Sequence, residues 1–230
     1  MMKPEHLERL AVAYTTAATA AGVAVLALAP VSEGKIVYTP TNKKIFPNHT
    51  VPFDLNHDGV NDFTLVDTAG SSGASAWGFL TVFPNRSQKN RIFGAPSAGF
   101  YRFAYAMPAG QHVGPRTKFP PGAEIMAESG FSGGRKVPSN SQCLGPWENV
   151  NNRYLGLKFA IKGATHYAWA RLNVKCTGDA QVDGKLTGYA YETRPNTSIT
   201  VGKTKGKDVV TLSPTLGHLA KGAAVRSKVE

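Results

Sequence analysis

Glycine and proline constrain this chain more than any other feature. There are 24 glycines and 15 prolines among 230 residues. Past residue 33 they cut the sequence into short apolar segments, none of which keeps a helical apolar period over about twelve positions. Such a chain is suited to short strands joined by turns, because glycine supplies positive φ and proline fixes φ in the range that turns use. The sequence therefore predicts an all-β fold, a two-sheet antiparallel sandwich (jelly-roll-like) of about nine strands. Candidate strands fall at residues 35–38, 50–54, 62–67, 77–83, 100–106, 154–161, 165–174, 185–192 and 199–201.

Two of these, 154–161 and 165–174, are separated only by Lys162-Gly163-Ala164, which holds the glycine a tight hairpin needs. Alternation in the second puts Tyr167, Trp169, Arg171 and Asn173 on one side and Ala168, Ala170, Leu172 and Val174 on the other. The small aliphatic side is expected to face the core, with Trp169 covering the opposite face or sitting under a loop. Residues 70–76, rich in Gly, Ser and Ala, and residues 108–147, broken by Pro and Gly, carry no strong strand pattern and read as loops. Long loops on a rigid sheet are where binding sites gather.

Residues 11–29 are uncharged and rich in Ala, Val and Thr, and Lys3 and Arg9 precede them. That is the layout of a secretory signal peptide with a helical apolar core. The rival reading, an uncleaved membrane anchor, fits the length but not the composition, since Ala, Thr and Gly stand where an anchor carries Leu, Ile and Phe. The expected organisation is a signal peptide at 1–33, a β-sandwich at 34–202 and a tail at 203–230 that is polar and then Ala/Gly-rich. The protein is expected to be secreted, periplasmic or at the cell surface, with membrane attachment only if the leader is retained. Cys143 and Cys176 suit an oxidising compartment. A bond between them would close a span of 33 residues, worth on the order of 3–4 kcal/mol on the chain-entropy account. Reduced, they would be two small buried hydrophobes.

The formal charge is +11, and the first thirty residues do not change it, because Lys3 and Arg9 offset Glu5 and Glu8. Basic clusters at 86–91, 135–136 and 203–207 could meet acidic polysaccharide or a cell-surface glycan; the plainer reading is a solvated, soluble surface. No basic motif is interleaved with aromatics in the manner that stacks on single strands, and an exported protein is not expected to meet nucleic acid.

The sequence Asp54-Leu-Asn-His-Asp-Gly-Val-Asn-Asp62 spaces oxygen donors at alternate positions around a glycine. Asp54, Asn56, Asp58, the Val60 carbonyl and Asp62 could supply most of the six to eight oxygens that Ca2+ takes, with Gly59 permitting the turn. It is not an EF-hand, since Leu65 stands where the bidentate Glu belongs and strands flank it in place of helices. The alternative is an Asx-rich turn in which the same side chains bond their own backbone. Three acids within nine residues repel one another unless a cation lies between them, which favours a structural calcium that orders the flanking strands.

Several segments, in this order, resemble a family of exported bacterial proteins, many of which carry a Pro-Glu-Pro C-terminal sorting tail (the PEP-CTERM sorting-domain-containing family). They are Gly34-Lys-Ile-Val-Tyr-Thr-Pro40, the acidic loop with Phe53 and Phe63, Tyr154-Leu-Gly-Leu-Lys-Phe159, His166-Tyr-Ala-Trp-Ala-Arg-Leu172 and Gly188-Tyr-Ala-Tyr-Glu-Thr193. The resemblance covers most of residues 34–202 and implies export, a β-sandwich and no established activity. The tail departs from the family: residues 212–228 contain no Pro-Glu-Pro signal and no apolar run long enough to span a membrane.

An enzymatic reading has little footing in the sequence. Gly130-Phe-Ser-Gly-Gly134 fits the G-x-S-x-G pattern around Ser132, but a proline-broken segment follows where a nucleophile elbow needs a helix. No pair of histidines has the spacing of a transition-metal site. Glu124, Glu128, Glu148 and Asp183 could pair for glycoside chemistry only if the fold converged two of them. The preferred expectation is a non-enzymatic, calcium-stabilised binding protein of surface, matrix or glycan-binding type, with Trp77, Trp147 and Trp169 as contact aromatics or, the commoner fate of such residues, as core. The alternative is a secreted carbohydrate-active or other hydrolase with its site in 108–147.

Overall fold

The computed structural model describes residues 34–95, 102–132, 135–136, 143–177 and 180–212. The expected signal peptide and residues 213–230 lie outside them. Among the described residues the fold is all-β, and no helix is long and apolar enough to cross a membrane. The strands are β1 (Ile36–Ile45), β2 (Thr50–Phe53), β3 (Phe63–Ser72), β4 (Ser75–Pro84), β5 (Arg91–Ile92), β6 (His112–Val113), β7 (Glu124–Ser132), β8 (Arg135–Lys136), β9 (Val150–Ile161), β10 (Ala164–Thr177), β11 (Gln181–Glu192), β12 (Ile199–Thr200) and β13 (Val209–Thr211).

They form a six-stranded sheet in the order β13-β1-β11-β10-β9-β5, a five-stranded sheet in the order β2-β3-β4-β7-β8, and a small ladder of β6 with β12. All pairs are antiparallel except β1 with β13. The larger sheet extends past residue 202, because β13 lies along the start of β1 and Ile36 donates its N–H to the Asp208 carbonyl at 2.7 Å. The β9–β10 hairpin forms where the glycine predicts it. Ile161 pairs with Ala164, and Lys162 and Gly163 take φ of 49° and 83°, the left-handed pair that matches the twist of a two-residue turn.

Both faces of the larger sheet are buried. On one, Val37, Leu155, Leu157, Phe159, Ala168, Ala170, Leu172, Tyr189 and Tyr191 face the smaller sheet, with the rings of Tyr189 and Phe53 5.7 Å apart. On the other, Ile36, Tyr38, Tyr154, Tyr167, Trp169 and Ala190 pack beneath Met107, Val113, Phe119, Ile199 and Val201. Trp169, 0% exposed, therefore sits under a loop. Gly156 makes that close approach possible, since a Cβ there would come within 3.0–3.1 Å of Phe93, Met107 and Val113.

Three local expectations, the strand at 100–106 and the loops at 108–147 and 70–76, differ from the structure. Residues 102–107 are not a regular strand: Ala104 donates to the Ile125 carbonyl, Tyr105 to Phe93 and Met107 to Tyr154. Successive residues thus serve β7 of one sheet and β9 of the other, and the segment bridges them. The presumed loop 108–147 instead contains β6, β7 and β8, with β7 paired to β4 across most of its length. Its pattern is masked because Glu124 stands at an inward position opposite Val82 and a bulge beside Leu80 and Thr81 shifts the alternation. The segment 70–76 is likewise mostly strand, turning only at Gly73 with φ of 57°.

Cys143 and Cys176 form a disulfide, with Cα atoms 5.8 Å apart. It ties the segment that precedes Trp147 to the end of β10. Replacing both cysteines by Ser is expected to lower unfolding stability by about 3–4 kcal/mol in urea titrations. Gly78→Ala is expected to cost about 1–3 kcal/mol by overpacking, because the new methyl would overlap the Ala180 carbonyl oxygen. Where β4 passes the turn before β11, the backbone has no room to give.

Candidate functional site

The acidic loop closes the β2–β3 hairpin. Phe53 pairs with Phe63 at its base, their rings 5.7 Å apart, and Asp62 donates its N–H to the Phe53 carbonyl at 3.1 Å. Leu55, wholly buried, pins the start of the loop to the core. The predicted residues Asp54, Asn56, Asp58, Val60 and Asp62 thus share one compact turn, with Gly59 at φ of 89° and His57 at 60°.

Each carboxylate in the turn is held by donors from the loop or its neighbours. Asp54 accepts from the N–H groups of His57 at 2.7 Å and Gly59 at 2.8 Å. Asp58 accepts from the Val60 N–H and the Asn56 side-chain amide, both at 2.9 Å. Asp62, 4% exposed, accepts from the Leu55 N–H at 2.8 Å and from Asn90 Nδ2 at 3.1 Å. The network is that of Asx turns, and every oxygen in it keeps a second lone pair. Burial pushes the Asp62 carboxyl up to about 6 against the pull of those hydrogen bonds, and Asp54 and Asp58 push the same way. Asn56 Oδ1 is buried with no hydrogen-bond partner among the described residues. Val60 is exposed at the tip. Among the described residues no three His, Cys, Asp or Glu side chains stand close enough to form a metal-holding group by themselves, so a cation here would depend on amide and carbonyl oxygens as well.

The loop is wired to its surroundings. His57 Nε2 lies 3.0 Å from Thr39 Oγ1, and burial lowers the His57 pKa. Tyr191, packed behind the turn, is pushed up to about 12 by burial and by the charges of Asp54 and Asp62. Asn90 was not singled out by the sequence. It donates to both the Asp62 carbonyl and its carboxylate, and accepts from the Ala160 N–H on β9 at 3.2 Å. Asn85 adds bonds to the carbonyls of Asp62 and Asn61. The basic turn 85–90 is thereby built on the acidic one, a relation between segments some thirty residues apart that no local pattern encodes.

The residues proposed for catalysis are dispersed. Glu124 and Glu128 lie on opposite faces of β7, opposite Val82 and Phe79 respectively. Ser132 ends β7 and pairs with Arg135 of β8, a strand where a nucleophile elbow would run on into a helix. Glu148 lies in a turn closed by its own N–H to the Gly145 carbonyl. Of the three tryptophans, Trp147 and Trp169 are core, and Trp147 Nε1 donates to the Ala104 carbonyl at 3.0 Å. Trp77 remains partly exposed, its ring laid over Gly70 of the neighbouring strand.

Two buried acids stand without hydrogen-bond partners among the described residues: Asp67, 1% exposed, and Glu124, 0% exposed. Asp67 continues the inward series Phe63, Leu65, Asp67, so an acid in an apolar phase was the available sign. Burial raises it to about 7, and the charge of Asp183 adds to the effect. Burial raises Glu124 to about 7 as well, against the pull of Arg102. Both carboxyls bind protons more tightly folded than unfolded. Their favourable contribution is complete below the ordinary carboxylate range and is lost as pH rises from about 4 to about 7. Asp67→Asn is expected to flatten that fall and to raise stability at pH 8 by about 1–3 kcal/mol, read as melting temperature across pH 4–8. Comparison of the chain with protein-family models, with curated proteins and with solved structures finds no match.

Proposed function

We propose that this chain is an exported, non-enzymatic binding protein of surface, matrix or glycan-binding type, a jelly-roll-like two-sheet sandwich with a calcium-stiffened hairpin at one end. The observation that carries the reading is the 54–62 turn. It carries three carboxylates within nine residues beside amide and carbonyl oxygens, and it leaves the buried Asn56 Oδ1 without a partner among the described residues. Asp54, Asn56, Asp58, the Val60 carbonyl and Asp62 would hold the cation, whose charge would relieve the mutual repulsion of the acids. Its role is structural, since the turn anchors β2, β3 and, through Asn90, β9.

The sandwich description is supported by the contacts between the two sheets, Tyr189 with Phe53 and Gly184 beside Leu80. Export is supported by the apolar leader in the sequence and by the disulfide. The competing hydrolase would need two carboxylates in one cleft of 108–147, and the two on β7 point to opposite faces.

Differential scanning calorimetry with calcium and with chelator tests the metal. At a calcium concentration a hundredfold above the dissociation constant, stability is expected to rise by about 2.7 kcal/mol, and Asp58→Ala is expected to abolish the increment. A melting temperature indifferent to calcium in the unsubstituted protein would remove the reading and leave the Asx turn as the whole account of the loop.

A further inference from the structure

The turn built on Asn85 and Asn90 carries a feature that the acidic loop does not explain. Arg86, Arg91 and Arg102 line one cavity of about 370 Å³ together with Pro121 and Gly122. Arg91 and Arg102 are half-buried. Among the described residues the one ion pair is Lys203 with Asp208, so none of the three guanidinium groups is matched by a carboxylate in contact. Two of them are nevertheless held: Arg91 Nη1 donates to the Asn90 carbonyl at 2.9 Å, and Arg102 Nη1 to the Pro121 carbonyl. Gly122 has φ of 112°, and a Cβ there would come within 2.5 Å of Arg102 Nη2, so the glycine makes room for the guanidinium. Three like charges brought to one open hollow repel, and among the described residues only Arg102 of the three has a carboxyl acting on it, that of Glu124; an oxyanion, whose oxygens match the planar fork of arginine, offsets that repulsion.

On the other side of the same turn lies a second hollow, of about 310 Å³, lined among others by Ser87, Gln88, Lys89 and Lys158. Lys158 Nζ stands 5.6 Å from the centre of the Phe119 ring, which steadies its position. Two cationic hollows divided by a single turn suit a ligand that repeats its negative charge along a chain. No exposed aromatic ring lines either hollow, Phe159 at the second being 1% exposed, and single-stranded nucleic acid depends on such rings for stacking.

We propose that the 86–91 turn, with Arg102 and Lys158, is a binding site for the carboxylate or sulfate groups of an acidic polysaccharide. The inference rests on the binding-protein reading above and names its ligand class. The test is titration calorimetry of the full-length protein with oligogalacturonate, sulfated dextran oligomers, neutral dextran, inorganic sulfate and a single-stranded oligonucleotide. One or both acidic oligosaccharides are expected to bind and neutral dextran is not. Arg86→Gln with Arg91→Gln is expected to weaken binding at least about tenfold with the melting temperature retained. Lys205→Gln with Lys207→Gln removes the same charge from exposed positions elsewhere and is expected to change binding less than about twofold.

Equal losses in the two double variants would reduce the effect to net charge and overturn the site. So would inorganic sulfate binding as tightly as the oligomers, which would mark a small-anion site, or the oligonucleotide binding more tightly than either glycan. Binding measured at one fixed calcium concentration is independent of the melting comparison with chelator, so failure of the metal and failure of this site are separate results.

Discussion

The structure depends on burying the six-stranded sheet from both sides. A sheet packed on one face alone would leave Tyr38, Tyr154, Tyr167 and Trp169 in water. Instead the bridging segment 102–107, the β6–β12 ladder and Phe119 close over them. A buried tryptophan contributes on the order of 5 kcal/mol of gross apolar transfer free energy, so this cover is a substantial part of what offsets the chain entropy of ordering such irregular segments. The cover also ties the two sheets together, because segment 102–107 bonds to β7 through Arg102 and Ala104 and to β9 through Met107.

That arrangement places polar groups where apolar ones would be expected. Arg171 lies on the covered face and is satisfied without a carboxylate: Nε donates to Thr187 Oγ1 at 2.8 Å, and Nη2 to the Tyr38 hydroxyl at 3.1 Å and the Thr187 carbonyl at 3.2 Å. Thr187 stands at the irregularity in the β10–β11 register, so the guanidinium fills what the bulge opens. Asp67 and Glu124 lack such partners, which makes them sources of pH sensitivity where Arg171 is a fixed part of the frame.

The acidic and basic turns form one assembly. Asn90 joins the carbonyl and carboxylate of Asp62 to the N–H of Ala160, and the next residue, Arg91, opens the edge strand β5 and lines the arginine hollow. Order in the Asp62 turn is thereby passed to the arginine turn through two side-chain amides, Asn85 and Asn90. The charges are opposite, yet the two turns are joined by neutral amides and not by ion pairs. Each is left with its own charge to present, oxygen donors at one and guanidinium groups at the other.

Much of this was written locally. Period-two alternation gave β9, β10 and β11, Lys162-Gly163 gave their first hairpin, and the 54–62 spacing gave a single turn that holds every residue singled out in it, because strand phase and left-handed φ are properties of a few consecutive residues. Three things waited on tertiary structure. The 108–147 region hid β7, since its inward acid Glu124 and its bulge break the alternation that marks a strand. Trp147 and Trp169 became core because segments distant in sequence cover them. The convergence of Arg86 and Arg91 with Arg102 arises only when 102–107 crosses between the sheets. The sequence by itself determined the strands and the chemistry of each turn, because those follow from neighbouring residues. Which faces are buried and which charges meet was decided by the tertiary structure, because both depend on pairings between residues far apart along the chain.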